Sequence, residues 1–270
     1  MKKTIQIQDK LFKHASYSTD FYVSKYIQWN RDIANYELCI FTETHLKKVN
    51  SKFKIKIAWL LESPAIMPEH YAWIKENYDK FDYVLTFDKE LLDISNKFYF
   101  IPIGGCWIRE KEQMIWDKHK NVSIIVSKKN QTIGHKLRHQ IVNELKSEID
   151  VYGQGYNAIE NKIEALKDYR YSIVIENIKK DYYFTEKLID AFITGTIPIY
   201  YGCPSIANFF DVRGMIIIND LEDLKNKLQF FNQENYEKMK PYIIKNFELA
   251  KKYLIAEDNI YKFLKNKRII

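Results

Sequence analysis

Residues 168–210 read DYRYSIVIENIKKDYYFTEKLIDAFITGTIPIYYGCPSIANFF. The apolar run Ser172 to Ile175 predicts a buried strand, and it ends on a carboxylate and an amide, Glu176 and Asn177. A basic, tyrosine-rich loop follows. Leu188, Ile189, Phe192 and Ile193 recur at helical spacing, so a helix is expected to begin at Thr185-Glu186-Lys187 and to stop at Gly195. A second apolar run, Ile197 to Tyr201, leads into Gly202-Cys203-Pro204. This is a β-α-β unit with its polar residues gathered where strand passes to helix. In open α/β sheets ligands bind at that edge.

Outward from this unit, strand and helix signals alternate along the chain. Upstream, strands are expected at Thr4 to Gln8, Tyr36 to Phe41, Ile55 to Leu61, Tyr83 to Phe87 and Lys97 to Ile101. Ser18 to Trp29 reads as a helix by its aromatic spacing, and Glu69 to Tyr78 as another behind Pro68. Gly104-Gly105 lacks the further glycine and lysine of a phosphate loop and reads as a turn or hinge. The pattern then restarts: a strand at Val122 to Val126, helices at His135 to Lys146 and Ile159 to Leu166, a strand at Met215 to Ile218, and a helix from Leu221 to Phe230. The expected fold class is α/β, with two Rossmann-like domains facing across a cleft. The expected boundaries are 1–115, 116–240 and a C-terminal helix and basic tail over 241–270.

Composition narrows the function classes. The 270 residues carry a net charge of +7, three cysteines and 15% aromatic residues. The charge suits phosphorylated substrates or anionic lipid, and no nucleic-acid module or zinc-finger spacing is present, so no nucleic-acid partner is expected. A lysine-rich solvated surface explains the same number. The tyrosine excess suits a sugar cleft, but codon bias is the better-supported reading of the number alone. Cys39, Cys106 and Cys203 lie far apart and do not form a disulfide framework. The lysines at the N-terminus precede no long apolar run, and no stretch suffices to cross a bilayer. A cytoplasmic protein is expected, with possible peripheral contact of the basic tail, Tyr261 to Ile270, at the inner face of the membrane.

Glu176-Asn177, then Tyr183-x-Thr185-Glu186-Lys187, then Gly195-Thr196-x-Pro198-x-Tyr200-x-Gly202 resemble the donor-site signature of glycosyltransferase family 10, the α-1,3-fucosyltransferases. Trp59-Leu60-Leu61-Glu62-Ser63-Pro64 resembles the segment carrying that family's proposed catalytic carboxylate, and Arg138 stands where the family has a donor-binding arginine. The resemblance spans roughly residues 55–212. It implies a GT-B architecture and an inverting transfer of L-fucose from GDP-fucose to a glycan hydroxyl, with α-1,3 linkage. It also implies donor contacts from Arg138, Glu176, Asn177, Tyr183, Thr185, Glu186 and Lys187, with Glu186 on the ribose. Two alternatives stand beside it: the same fold with another nucleotide-sugar donor, and an inactive glycan- or nucleotide-binding protein. Eukaryotic members usually carry a membrane anchor, which this sequence does not resemble.

The residues themselves suit such chemistry. The leaving diphosphate needs cations or amides, and no Asp-x-Asp motif is present to hold a metal. No metal cofactor is therefore expected to be required, with manganese or magnesium at most a non-essential activator. Lys187, Arg138 and the helix N-terminus capped by Thr185 are the expected anion binders. Glu62 ends its strand just before Ser63-Pro64 and is the expected general base, with Glu69 and His70 as neighbours able to replace it. His14, His45, His119, His135 and His139 show no metal-ligand spacing and are expected on the surface.

Overall fold

The computed structural model describes residues 2–10, 17–19, 21–32 and 35–270. The chain divides into two compact units, residues 1–105 with 255–270, and residues 106–254. The division falls at Gly104 and Gly105, whose φ values of +57° and +99° make the turn that a residue with a Cβ would resist.

The first unit is a six-stranded, wholly parallel sheet in the order β2-β1-β3-β4-β5-β6. Its strands are β1 (Lys3–Gln8), β2 (Ile27–Asn30), β3 (Leu38–Thr42), β4 (Ile55–Trp59), β5 (Tyr83–Thr86) and β6 (Phe98–Phe100). Among the described residues, two α-helices lie between them, α1 (Pro68–Asn77) and the single turn α2 (Lys89–Leu92). Ile7, Ile40, Ile57 and Leu85 are fully buried and form its centre. The helix expected over Ser18–Trp29 is absent among the described residues there: β2 occupies its end, with Ile27 and Trp29 inward and Gln28 exposed. Period-2 burial took precedence over an aromatic spacing that also fits a helix.

The second unit is a five-stranded parallel sheet in the order β11-β10-β9-β7-β8. It contains β7 (Lys120–Ile125), α3 (Ile133–Leu145), β8 (Asp150–Tyr152), β9 (Tyr169–Ile175), α4 (Glu186–Phe192), β10 (Ile197–Tyr201), β11 (Ile216–Ile217), α5 (Leu221–Lys227) and α6 (Gln233–Ala250). β10 is buried at every position and β9 at all but one, as expected of strands covered on both faces. Strand order reverses at the β7–β9 pair, the switch point beside which open α/β sheets bind ligands.

The last 30 residues do not form one appendage. α6 packs in the second unit, whereas α7 (Ala256–Asn266) belongs to the first. Ile260, Phe263 and Leu264 of α7 are buried in the first unit's core, and Ile269 and Ile270 pack against it. Most of the apolar groups that a membrane would take are therefore already packed against the protein. The fold class expected from the sequence, α/β with two Rossmann-like units, is the observed one. No helix of the described residues is long and apolar enough to cross a membrane.

Candidate active site

At the C-terminal end of β9, Glu176 is completely buried. Its carboxylate accepts the Thr185 N–H and the Thr185 hydroxyl, each at 2.8 Å, and so ties together the two ends of the loop 177–184. Burial pushes the Glu176 carboxyl up in pKa, opposed by the Lys187 ammonium at 3.6 Å. The Glu176 oxygens are turned inward, with Thr185 as their partner. Thr185 caps α4 as expected, accepting the Lys187 N–H at 3.4 Å. With the Thr185 and Lys187 amides engaged internally, the helix end offers fewer free donors to an anion than the sequence suggested.

The charge at this edge sits on side chains. The Lys187 ammonium lies 3.3 Å from Glu186 and 3.1 Å from the Thr185 hydroxyl. Lys162, in the 3₁₀ turn Lys162–Ala165, lies 3.3 Å from Glu186 and 3.1 Å from Asp190. Burial alone would make Glu186 harder to ionise, but Lys187 and Lys162 outweigh it and hold its carboxyl far below the usual carboxylate range. The same carboxylates outweigh burial at Lys162 and keep it charged. Asp190 in turn accepts the Trp107 N–H at 2.7 Å. Lys162 and Asp190 carried no sequence expectation. Asp190 was within reach, four residues beyond Glu186 on the same helix, whereas Lys162 comes from a segment without a motif.

Arg138 is 6% exposed and reaches β9 from α3. Its Nε and Nη2 donate to the Ile175 carbonyl at 3.2 and 2.6 Å, and Nη2 to Asn177 Oδ1 at 3.2 Å. Burial lowers its pKa, against the nearby Glu176 and Glu186. Much of the guanidinium therefore holds the strand end itself. Close approach of α3 requires Gly134: a Cβ there would stand 1.8 Å from the Glu176 carbonyl oxygen, and the Gly134 N–H donates to the Asn177 carbonyl. Gly202 is similarly constrained, since a Cβ would meet Tyr200 Oη at 2.3 Å. Tyr183 is buried, at 2% exposure, and does not line the cavity that Arg138 lines.

Arg138, Lys162, Glu186, Lys187 and Asp190 line a cavity of about 160 Å³ whose walls include Ile125, Ile173 and Ile175. This is about half the smallest volume usual for a drug-sized ligand site, roughly 300 Å³, and suits one ring of a larger ligand. Cations placed around an apolar floor meet phosphate charge, and ionised Glu186 accepts hydroxyl hydrogens.

In the first unit, Glu62 follows β4 and is half-buried. The Glu43 carboxylate accepts the Leu61 and Glu62 amides, and the Tyr71 hydroxyl donates to the Glu62 carbonyl at 2.7 Å. Of the neighbours able to replace Glu62, Glu69 is exposed, and His70 is buried with its Nδ1 3.3 Å from Glu43. His135 departs from the surface expectation. It is buried in a capping box with Thr132, and burial followed by Arg138 lowers its pKa to about 4. His14 lies outside the described residues. Among the described residues, no group of three or more His, Cys, Asp or Glu side chains could hold a metal ion.

Comparison with known proteins agrees with this architecture. The chain is 24% identical over 237 residues to an α-(1,3)-fucosyltransferase, FucT, of Helicobacter pylori, a match covering 72% of this chain and 49% of that protein. A shorter match, 32% over 81 residues, joins it to a putative fucosyltransferase-like protein of Arabidopsis thaliana, covering 28% of this chain and 16% of that one. The chain thus spans about half or less of these relatives' lengths. Among solved structures, an α1,3-fucosyltransferase with GDP-fucose superposes with a TM-score of 0.55 at 17% identity, over 94% of this chain and 90% of that one. TarM superposes with a TM-score of 0.58 at 15% identity, over 84% and 54%. At such identities these structures show the shared fold alone. The C-terminal profile of glycosyltransferase family 10 (fucosyltransferase) matches residues 115–259, more than half of the sequence and all of the Arg138–Lys187 site, and the chain belongs to that family.

Proposed function

We propose that the protein transfers L-fucose from GDP-fucose to a glycan hydroxyl, with inversion and α-1,3 linkage. The observation that carries this reading is the arrangement around α4: Lys187 and Arg138 beside an apolar cavity, with Glu186 kept ionised between two lysines. Solved relatives of the same fold hold GDP and GDP-fucose, which supports the donor class.

In this reaction the acceptor oxygen attacks the anomeric carbon, the bond from that carbon to the β-phosphate oxygen breaks, and GDP leaves with the electron pair. Lys187 and Arg138 meet the charge that grows on the diphosphate, each contributing on the order of 2–4 kcal/mol by analogy with anion-hole donors. Glu186 accepts hydrogen bonds from the ribose hydroxyls, and Asn177 and Tyr183 complete the donor pocket. Glu62 takes the acceptor proton. Because cations stand where a metal would otherwise be needed, transfer is expected to survive chelation, with manganese or magnesium at most assisting product release. Any contact of the C-terminal tail with an anionic membrane falls to Lys262, Lys265, Lys267 and Arg268, because its apolar face is buried.

Calorimetry with GDP and UDP tests the donor, followed by transfer assays with GDP-fucose in the presence and absence of EDTA. Tight GDP and weak UDP binding with chelation-resistant transfer is the expected result. Preference for UDP would move the reading to another nucleotide sugar, and reversible loss of all activity in EDTA would reveal a required metal.

A further inference from the structure

The first unit holds a second carboxylate that this reaction does not use. Glu43 follows β3 directly, is completely buried, and has a φ of +41°, a left-handed conformation uncommon for a residue with a Cβ. Its Oε1 accepts the Leu61 N–H at 2.5 Å and the Glu62 N–H at 2.8 Å, and its Oε2 lies 3.3 Å from His70 Nδ1. The sheet ladder stops one residue earlier, where the Leu60 N–H donates to the Leu85 carbonyl at 2.9 Å. Beyond it, side chains take over: Glu43 on two amides and Tyr71 on the Glu62 carbonyl.

Two further costs fall beside these glutamates. The hydroxyls of Thr42, which precedes Glu43, and of Ser63, which follows Glu62, are buried without a hydrogen-bond partner among the described residues. Backbone strain, a buried carboxylate and orphaned hydroxyls each cost stability, and such features persist where the structure holds a functional group in place. A strand end that only turned the chain would need none of them.

We infer that Glu43 is a positioning residue for Glu62. By fixing the peptide groups on either side of Leu61, it sets where the Glu62 side chain leaves the backbone, while His70 orients Glu43 from behind. This rests on the reading of Glu62 as the base. Misplacing a reacting group by about an ångström can cost on the order of 100-fold in rate.

The test is a double-mutant cycle of Glu43→Gln and Glu62→Gln, with Tyr71→Phe as a second, milder perturbation. Glu43→Gln keeps the volume and one acceptor oxygen. Its kcat is expected to fall about 10-fold and that of Tyr71→Phe about 3-fold, since each loosens the base rather than removing it. KM for the donor and GDP affinity should not move. In the Glu62→Gln background both substitutions should cost almost nothing further, because no base remains to be positioned. Losses that multiply in the double variants would make Glu43 a general support of the fold and overturn the inference. So would wild-type kcat in Glu43→Gln alongside an impaired Glu62→Gln, which leaves the base assignment standing. Full activity in Glu62→Gln would instead overturn the base assignment, and this inference with it. If Glu43→Gln does not fold, the Tyr71→Phe cycle carries the same outcomes.

Discussion

The C-terminal edges of the two sheets are built from opposite materials. At β9, three cations (Arg138, Lys162 and Lys187) are interleaved with three carboxylates (Glu176, Glu186 and Asp190). At β4, Glu62 and Glu43 stand with a histidine, and Glu43 is anchored by backbone amides rather than by lysine or arginine. A network of alternating charges keeps Glu186 ionised and leaves cations facing a cavity, which suits an anionic leaving group. At the β4 edge, backbone amides hold Glu43 and the Tyr71 hydroxyl holds the Glu62 carbonyl, so hydrogen-bonded geometry rather than a charge network fixes where Glu62 leaves the chain. The two halves of the sequence therefore contribute different chemistry from the same strand-edge geometry.

The sharpest way to break this comparison is Glu62→Gln. Loss of a general base typically costs about 10²–10⁴-fold, and GDP affinity should be unchanged because Glu62 belongs to the unit without the cation cluster. Turnover near wild type at saturating donor and acceptor would remove Glu62 from the reaction and return attention to Glu69 and His70.

The cation-rich edge should also respond to acid through His135. Its folded pKa of about 4 lies below the ordinary 6.5, so below pH 6.5 the unfolded chain binds a proton that the folded chain resists. The stabilising contribution is complete above pH 6.5 and is lost as pH falls through about 4, by roughly 3 kcal/mol in all. Denaturant titrations at pH 7 and pH 4 should show this loss in the wild type and a smaller one in His135→Gln. Equal losses in both would assign the acid sensitivity to other groups.

Lys187→Ala and Arg138→Ala separate ligand binding from support. A hydrogen bond to a charged group contributes about 1.5–3 kcal/mol, so Lys187→Ala should weaken GDP binding about 10- to 100-fold with little change in Tm. Arg138→Ala should lower both, because the Ile175 carbonyl loses its donors. Retained GDP affinity in both variants would sink the anion site.

The smallest effect is expected from Lys162→Met. It keeps the unbranched stem, one atom shorter, and removes one of the cations that hold Glu186 ionised, so GDP affinity should fall several-fold, in line with a partly exposed ion pair of roughly 1 kcal/mol. Because the lost contact would be to ribose, the drop should be smaller for 2′,3′-dideoxy-GDP. An equal drop for both nucleotides would confine Lys162 to structural support.

Much of this was legible in the amino-acid sequence because it depends on local signals. Alternating strand and helix runs specify parallel sheets. Thr185-Glu186-Lys187 after the buried run Ser172–Ile175 specifies a capped helix at a strand edge. Gly104-Gly105 reads as a turn or hinge, but the expected boundary at 115 lies ten residues beyond the division at 105. Elements with two competing periodicities, such as β2, were not legible, because burial by distant strands decided them. Nor was the split of the last 30 residues, since an amphipathic helix does not encode which core receives it. Only the tertiary structure turned Glu176 inward and brought Lys162 to Glu186, across 24 residues, and Glu43 to Glu62. Side-chain partnerships between separate strand ends depend on sheet order, and sheet order is set by packing over the whole unit rather than by the residues that come to meet.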